Sequence, residues 1–237
     1  VRAWDPRPET RTLPLWFAVD PAEAVAGADV VLSVNSAASA IEAAEACLPA
    51  LAAGTVYADL NTAAAGIKVG LAELVGVTGA LFADVALMAP VPLRGLGTPA
   101  LACGPGAQEL ARTIGALGMP IEVIDGPPGT AATRKLLRSV FMKGLAACMI
   151  ESLRAADAAG CAPWLRQDIA AALDGPGEPL VERLLEGSVR HATRRRLELE
   201  AAAELLRELG VEPRVTIGAR DWLVQLEADP DAASTGP

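Results

Sequence analysis

The hydrophobic pattern of this chain changes period once, at Gly126-Pro-Pro-Gly129, and that switch constrains the fold more than any other feature. Ahead of it, short apolar runs alternate with helical stretches. The runs are Val1-Arg-Ala-Trp-Asp5, Asp29-Val-Val-Leu-Ser-Val-Asn35, Thr55-Val-Tyr-Ala-Asp-Leu-Asn61, Leu81-Phe-Ala-Asp-Val-Ala-Leu-Met88, Thr98-Pro-Ala-Leu-Ala-Cys103 and Pro120-Ile-Glu-Val-Ile-Asp125. Helical periods fill 36–51, 62–76 and 108–117 between them. Runs as continuous as 29–35 suit strands of a parallel sheet covered on both faces, which predicts α/β layers joined by right-handed crossovers. Beyond the switch only helical periods occur, over 130–159, 163–173, 179–192, 193–209 and 217–227. The expected organisation is an α/β domain over 1–128, an all-α domain over 129–227 and a disordered tail over 228–237.

Composition narrows the function classes. A net charge of −9 and 3% aromatic residues argue against a nucleic-acid surface, which needs a basic footprint and often stacking platforms. The one basic cluster, Arg190-His191-Ala-Thr-Arg194-Arg195-Arg196, runs into Glu198, Glu200 and Glu204 and reads as a charge-balanced helix face. Cys47, Cys103, Cys148 and Cys161 are scattered, and His191 is the single histidine, so no metal site is expected and reduced thiols are. The longest apolar candidate, 74–93, is broken by Asp84 and Pro90, which predicts no membrane span. No secretory leader is legible in residues 1–15, and the expected location is cytoplasmic.

Three lysines stand against seventeen arginines, and two of the three, Lys135 and Lys143, fall in one short apolar helical stretch. Lysine, unlike arginine, can release its proton when desolvated and so can serve as a general acid or base. At about 100° per residue Lys135, Ser139 and Met142 share one helix face. Both lysines also fit ordinary helix-surface charges. In an open parallel sheet, ligands bind beyond the carboxyl ends of the strands. Here those ends carry Asp5, Asn35-Ser36 and Asn61-Thr62. Asp5 is placed to accept a hydrogen bond from an adenosine ribose 2′-hydroxyl, with Arg7 and Arg11 close by to offset its charge. A turn cap before Pro6 accounts for Asp5 equally, and helix N-caps account for Asn35-Ser36 and Asn61-Thr62.

Four stretches together resemble the β-hydroxyacid dehydrogenases, the family of 3-hydroxyisobutyrate and 6-phosphogluconate dehydrogenases. Ala3-Trp-Asp5-Pro-Arg7 looks like the second strand of a Rossmann sheet with its acidic end. Ala58-Asp-Leu-Asn61-Thr62 is similar to the family's substrate segment, and Asp84-Val-Ala-Leu-Met-Ala-Pro90-Val91 to the strand and loop that line the reacting carbon. Gly129-x5-Lys135 resembles the helix start that bears the catalytic lysine. Arg138-Ser-Val-Phe-Met-Lys143-Gly144 and His191-Ala-Thr-Arg194-Arg195 resemble a branch of that family with a small helical C-terminal domain.

The resemblance implies a Rossmann-type parallel sheet followed by an all-α domain. It also implies an NAD(P)-dependent oxidoreductase acting on a small β-hydroxy acid or related hydroxyl substrate. Lys135 would be the general acid/base, with Asn61, Thr62, Pro90, Ser139 and Lys143 at the substrate and Asp5, Arg7, Asn35 and Ser36 at the cofactor. Asp5 favours NAD over NADP, and the helical domain would pair in a homodimer, with His191 either structural or reaching substrate across that dimer. Two departures from the family pattern bear on this. Ser139 stands where the family has asparagine, and the first strand, its G-x-G-x-x-G turn and the first helix have no counterpart ahead of Val1. That turn supplies backbone N–H groups to a pyrophosphate. The alternative expectation is therefore a catalytically silent cofactor-binding or structural homologue. An imine reductase is a third reading, disfavoured by the retained Lys135.

Overall fold

The computed structural model describes residues 1–7, 9, 14–174 and 177–233. Arg11 and residues 234–237 of the expected tail lie outside these. The chain divides into two compact units, Val1–Ser139 and Val140–Pro237.

The first unit is built on a five-stranded sheet in the order β3-β4-β5-β6-β7. Its strands are β3 (Val30–Ser33), β4 (Val56–Asp59), β5 (Leu81–Leu87), β6 (Ala100–Cys103) and β7 (Ile121–Val123). A separate parallel pair joins β1 (Arg2–Ala3) to β2 (Trp16–Phe17). The helices α2 (Ala40–Cys47), α3 (Ala65–Gly76) and α5 (Ala107–Gly115) provide the crossovers, and α1 (Pro21–Val25) leads from β2 to β3. Alternation along the strands feeds two cores. Tyr57 and Phe82 point into one with Leu71 and Val75 of α3. Val56, Ala58, Ala83, Val85, Ala100 and Ala102 point into the other with Leu110 of α5. Every residue of β4 is buried, which is why its sequence reads as an unbroken run instead of an alternation.

Two features depart from the sequence-based expectation. β6 runs antiparallel to β5, and β7 then runs parallel to β6. The β5–β6 connection holds only the short helix α4 (Val91–Arg94) and a 3₁₀ turn, Gly95–Gly97, with no helix long enough to cross the sheet. The units also divide at Ser139 and not at 126–129. The long helix α6 (Thr130–Ala158) begins on the sheet, where Ala131 and Ala132 are fully buried, and runs on into the second unit.

Among the described residues, every α-helix or strand from Thr130 onward is helical: α6, α7 (Ala162–Leu173), α8 (Gly177–Arg190), α9 (Ala192–Glu208) and α10 (Arg214–Ala228). The basic cluster is used within this unit. Arg194 pairs with Glu198 at 3.4 Å, and Arg196 bridges Glu200 at 2.7 Å and Glu227 of α10 at 3.0 Å. Within the expected tail, Pro230–Ala233 forms a 3₁₀ turn, and Ala232 packs on the cluster of Ala192, Leu223 and Leu226. No helix among the described residues is long and apolar enough to cross a membrane.

Glu151 of α6 organises the start of α10. Its carboxylate accepts the N–H groups of Val215 and Thr216 at 2.7 and 2.8 Å and the Thr216 hydroxyl at 2.6 Å. Burial pushes the Glu151 carboxyl up, but the Thr216 hydroxyl and the helix N–H groups outweigh it and leave it below the ordinary value of 4.5. Its contribution to stability is therefore present above pH 4.5 and is lost as pH falls through the lower folded value. Glu151→Gln is expected to destabilise the helical unit by about 1.5–3 kcal/mol at neutral pH, the worth of hydrogen bonds to a charged group. It should also flatten the acid limb of urea-unfolding stability between neutrality and pH 3, which unfolding curves at several pH values check.

Candidate functional site

Two carboxylates face each other inside the sheet. Asp59 ends β4, Asp84 lies within β5, and the two are register partners in the parallel pair. Both side chains are fully buried, and like charges placed this way repel unless a cation intervenes. The cation is Lys68. On α3 it shares a face with Leu71 and Val75, the three spaced as helical core positions, and all three have zero exposure. Its Nζ donates to Asp59 Oδ2 at 2.6 Å and to the Asp59 carbonyl at 2.9 Å. It also lies 3.2 Å from Asp84 Oδ1, an ion pair without hydrogen-bond alignment. The ammonium thus makes two hydrogen bonds to Asp59 and one ion pair with Asp84.

Each carboxylate has its second oxygen turned outward. Asp84 Oδ2 accepts the N–H groups of Gly129 at 3.0 Å and Ala132 at 3.1 Å, and the Cys103 thiol at 3.5 Å. An anion at these N–H groups also meets the positive end of the α6 dipole. Burial pushes the Cys103 thiol pKa up, which keeps the sulfur a neutral donor here. Gly129 is required at this junction for two reasons. Its φ is 101°, and a Cβ would stand 2.9 Å from the Ala65 Cβ at the start of α3. With its origin fixed in this way, α6 carries Lys135 half-buried in its second turn.

Asp59 Oδ1 accepts from the Asn61 amide nitrogen. That nitrogen also donates to Asn35 Oδ1 at 2.5 Å and approaches Ser33 Oγ at 3.4 Å. A continuous polar chain therefore runs from Asn35 through Asn61, Asp59, Lys68 and Asp84 to the first turn of α6.

The remaining sequence-predicted residues fall into groups. Asp5, Arg7, Asn35 and Ser36 line one cavity of about 1060 Å³ beside β1 and β3. Within it, Arg7 grips both Asp5 oxygens at 3.1 Å, so a carboxylate–guanidinium pair is presented and not an isolated acid. Ser36 is the cap foreseen from sequence, its Oγ accepting the Ser39 N–H at 3.2 Å. Thr62 is exposed, and Pro90 is exposed at the start of α4. Ser139 is half-buried at the end of the first unit, while Lys143 and His191 are exposed residues of the second. Sequence reasoning passed over Lys68. The signal available was its rarity together with its place in the 68, 71, 75 core stripe of an otherwise apolar helix.

A mainly parallel α/β sheet followed by a helical unit is a Rossmann-like architecture of NAD(P) dehydrogenases, and solved structures bear this likeness out. The chain matches the reductive aminase from Aspergillus terreus in complex with NADPH and ethyl-5-oxohexanoate with a TM-score of 0.78 at 17% identity, covering 96% of this chain and 85% of that one. It is similar to a conserved hypothetical protein from Sinorhizobium meliloti 1021 at 28% identity, with a TM-score of 0.59 and coverage of 94% and 79%. It is also similar to the conserved protein MTH1747 of unknown function, whose structure is described as resembling 3-hydroxyacid dehydrogenases. That match has 25% identity, a TM-score of 0.58 and coverage of 94% and 86%. Residues 156–226 match the family described as a domain of unknown function, DUF1932. The chain thus joins a fold similar to that of 3-hydroxyacid dehydrogenase-like proteins to a helical segment that matches the DUF1932 family model. No curated protein matches it.

Proposed function

We propose that this chain is the catalytic body of an NAD(P)-dependent oxidoreductase acting on a small β-hydroxy acid or related hydroxyl substrate, with Lys135 as general acid/base. The observation that carries this reading is the fixed origin of α6. Asp84 and the Gly129–Ala65 contact hold the helix start on the sheet, so the half-buried Lys135 has a defined place. The fold likeness to an NADPH-bound reductive aminase supports a nicotinamide cofactor.

The cavity beside β1 and β3 fits the nucleoside part of such a cofactor in its donor set: the Asp5–Arg7 pair, the Asn35 amide and the Ser36 hydroxyl. When bound, the cofactor accepts or supplies a hydride. The chain's part in oxidation is to take the hydroxyl proton on Lys135 Nζ and, in reduction, to return it to the same oxygen. An amine does this best when its pKa is brought towards the working pH. Asn61, held by Asp59 and Asn35, offers a fixed amide at the strand end, where substrate polar groups would be oriented. Four free thiols accord with a reducing, cytoplasmic setting.

Lys135→Ala is expected to slow single-turnover hydride transfer by about 10²–10⁴-fold, the usual worth of general acid–base catalysis, while leaving cofactor binding nearly intact. Lys135→Arg should fail almost as badly, because a guanidinium keeps its proton near neutral pH, whereas Lys143→Ala should cost far less. A panel of small β-hydroxy acids tests this. Wild-type rates in Lys135→Arg would remove the acid–base role, and no turnover with any cofactor would leave the silent homologue.

Asp5 in the cavity would favour NAD slightly over NADP, a ribose 2′-hydroxyl taking one carboxylate oxygen from Arg7, whose guanidinium offsets part of the repulsion of a 2′-phosphate. Fluorescence titration with NADH and NADPH should show tighter NADH binding that Asp5→Ala abolishes. Equal affinities in both proteins would take Asp5 out of the preference.

The second unit is also proposed to pair with a second copy. It leaves Val140, Phe141 and Ile150 of α6 and Trp164 and Trp222 between 60 and 74% exposed, more large apolar surface than a small helical unit ordinarily leaves to water. Light scattering at high micromolar concentration should return a dimer, and a folded monomer there would overturn the pairing.

A further inference from the structure

We infer that Lys68 is a positioning residue for both sides of the site, because a single buried ammonium frees one oxygen of each facing carboxylate to hold a different functional element. Asp84 uses that oxygen on the first turn of the helix bearing Lys135, and Asp59 uses it on the Asn61 amide. Without Lys68, the two carboxylates would stand opposite each other in neighbouring strands, both with zero exposure and without the ammonium that now lies between them. Either one would take up a proton or the strands would part, and in both cases an oxygen now turned towards the site would be redirected. The role rests on the reading of Lys135 as the acid–base group, but the coupling itself is a property of the folded chain.

The residue type fits the role. A compact ammonium fits between Asp59 Oδ2, the Asp59 carbonyl and Asp84 Oδ1, donating to the first two and pairing by charge with the third, whereas a larger planar guanidinium does not. In a chain with seventeen arginines, lysine is retained at this fully buried position.

The 237-residue chain carries three lysines, so reductive ¹³C-methylation gives few side-chain signals. Lys135 and Lys143 are reachable and Lys68 is sealed. Asp84→Asn and Lys68→Met are expected to move the Lys135 methyl resonance while leaving that of Lys143 in place. Amide exchange at Gly129 and Ala132 should accelerate about 10-fold or more, the loss of a charge-assisted hydrogen bond, while the amides of β4 and β5 stay protected. Lys68→Arg should behave as Lys68→Met does. Asp59→Asn should disturb the Asn61 side-chain amide and spare the α6 start.

If Lys68→Met does not fold, Asp84→Asn decides alone, because it leaves the ammonium paired with Asp59. The double variant Lys68→Met/Asp84→Asn should regain sheet stability without regaining protection at Gly129 and Ala132. An unmoved Lys135 signal in folded Asp84→Asn would overturn the inference. So would faster exchange spread evenly over the sheet with Lys135 and Lys143 shifting alike, which marks a merely structural lysine. Loss of the Lys135 acid–base reading would show instead as unchanged turnover in Lys135→Ala, with these exchange results standing.

Discussion

One buried ammonium among two carboxylates is the interaction on which the first unit depends. Removing a partner from such a buried pair costs about 3–5 kcal/mol, because the remaining charge has no water to turn to. Here the loss would be compounded by geometry. The two acids are opposite one another in adjacent strands, so the register of β4 and β5 brings the repulsion with it. The lysine that resolves it comes from α3, the crossover helix between those same strands. Strand, crossover and strand are thereby tied by a polar contact as well as by the apolar packing of Leu71 and Val75 against Tyr57 and Phe82. The formal charge left over, one negative, lies against the positive end of α6.

This arrangement explains how a helix leaving the sheet can hold a side chain of its second turn at a defined place. Helix starts have unpaired N–H groups, and a start that is buried without partners is unstable. At α6 the partner is a carboxylate from the middle of a strand, reinforced by backbone contact with α3 at Gly129. The second unit uses the same device on a smaller scale, with Glu151 receiving the first N–H groups of α10. In both places an acidic side chain on a neighbouring element, and not a local Ser or Asp cap, fixes where the helix begins.

Much of the architecture was legible because burial leaves a period. The alternation before residue 126 and the helical pattern after it correspond to the elements found, and the Arg-rich cluster at 190–196 pairs with glutamates four residues on. What was not legible is equally physical. β2 is two residues long, too short to show a period, and the reversal at β6 depends on how much helix the β5–β6 connection holds. The division of units at Ser139 followed from contacts of Ala131 and Ala132 with the sheet, while the Gly–Pro stretch only suggested a break. At the site, Asn35, Asn61 and Lys135 of α6 stood out as polar residues near strand and helix ends. Lys68 did not, since a cation in a helix is ordinarily read as facing water. Its partners lie nine and sixteen residues away in sequence, and only the sheet register brings them together.

The meeting of Gly129 with Ala65 has a consequence for how sequences of this kind diverge. The two positions are far apart along the chain and neither bears a functional group, yet a methyl at one would collide with the methyl at the other. Replacing Gly129 is closed off twice, because its positive φ means that shrinking Ala65 to glycine does not release it. The constraint at this joint is therefore carried by position 129, where the positive φ and the neighbouring Ala65 both exclude a side chain.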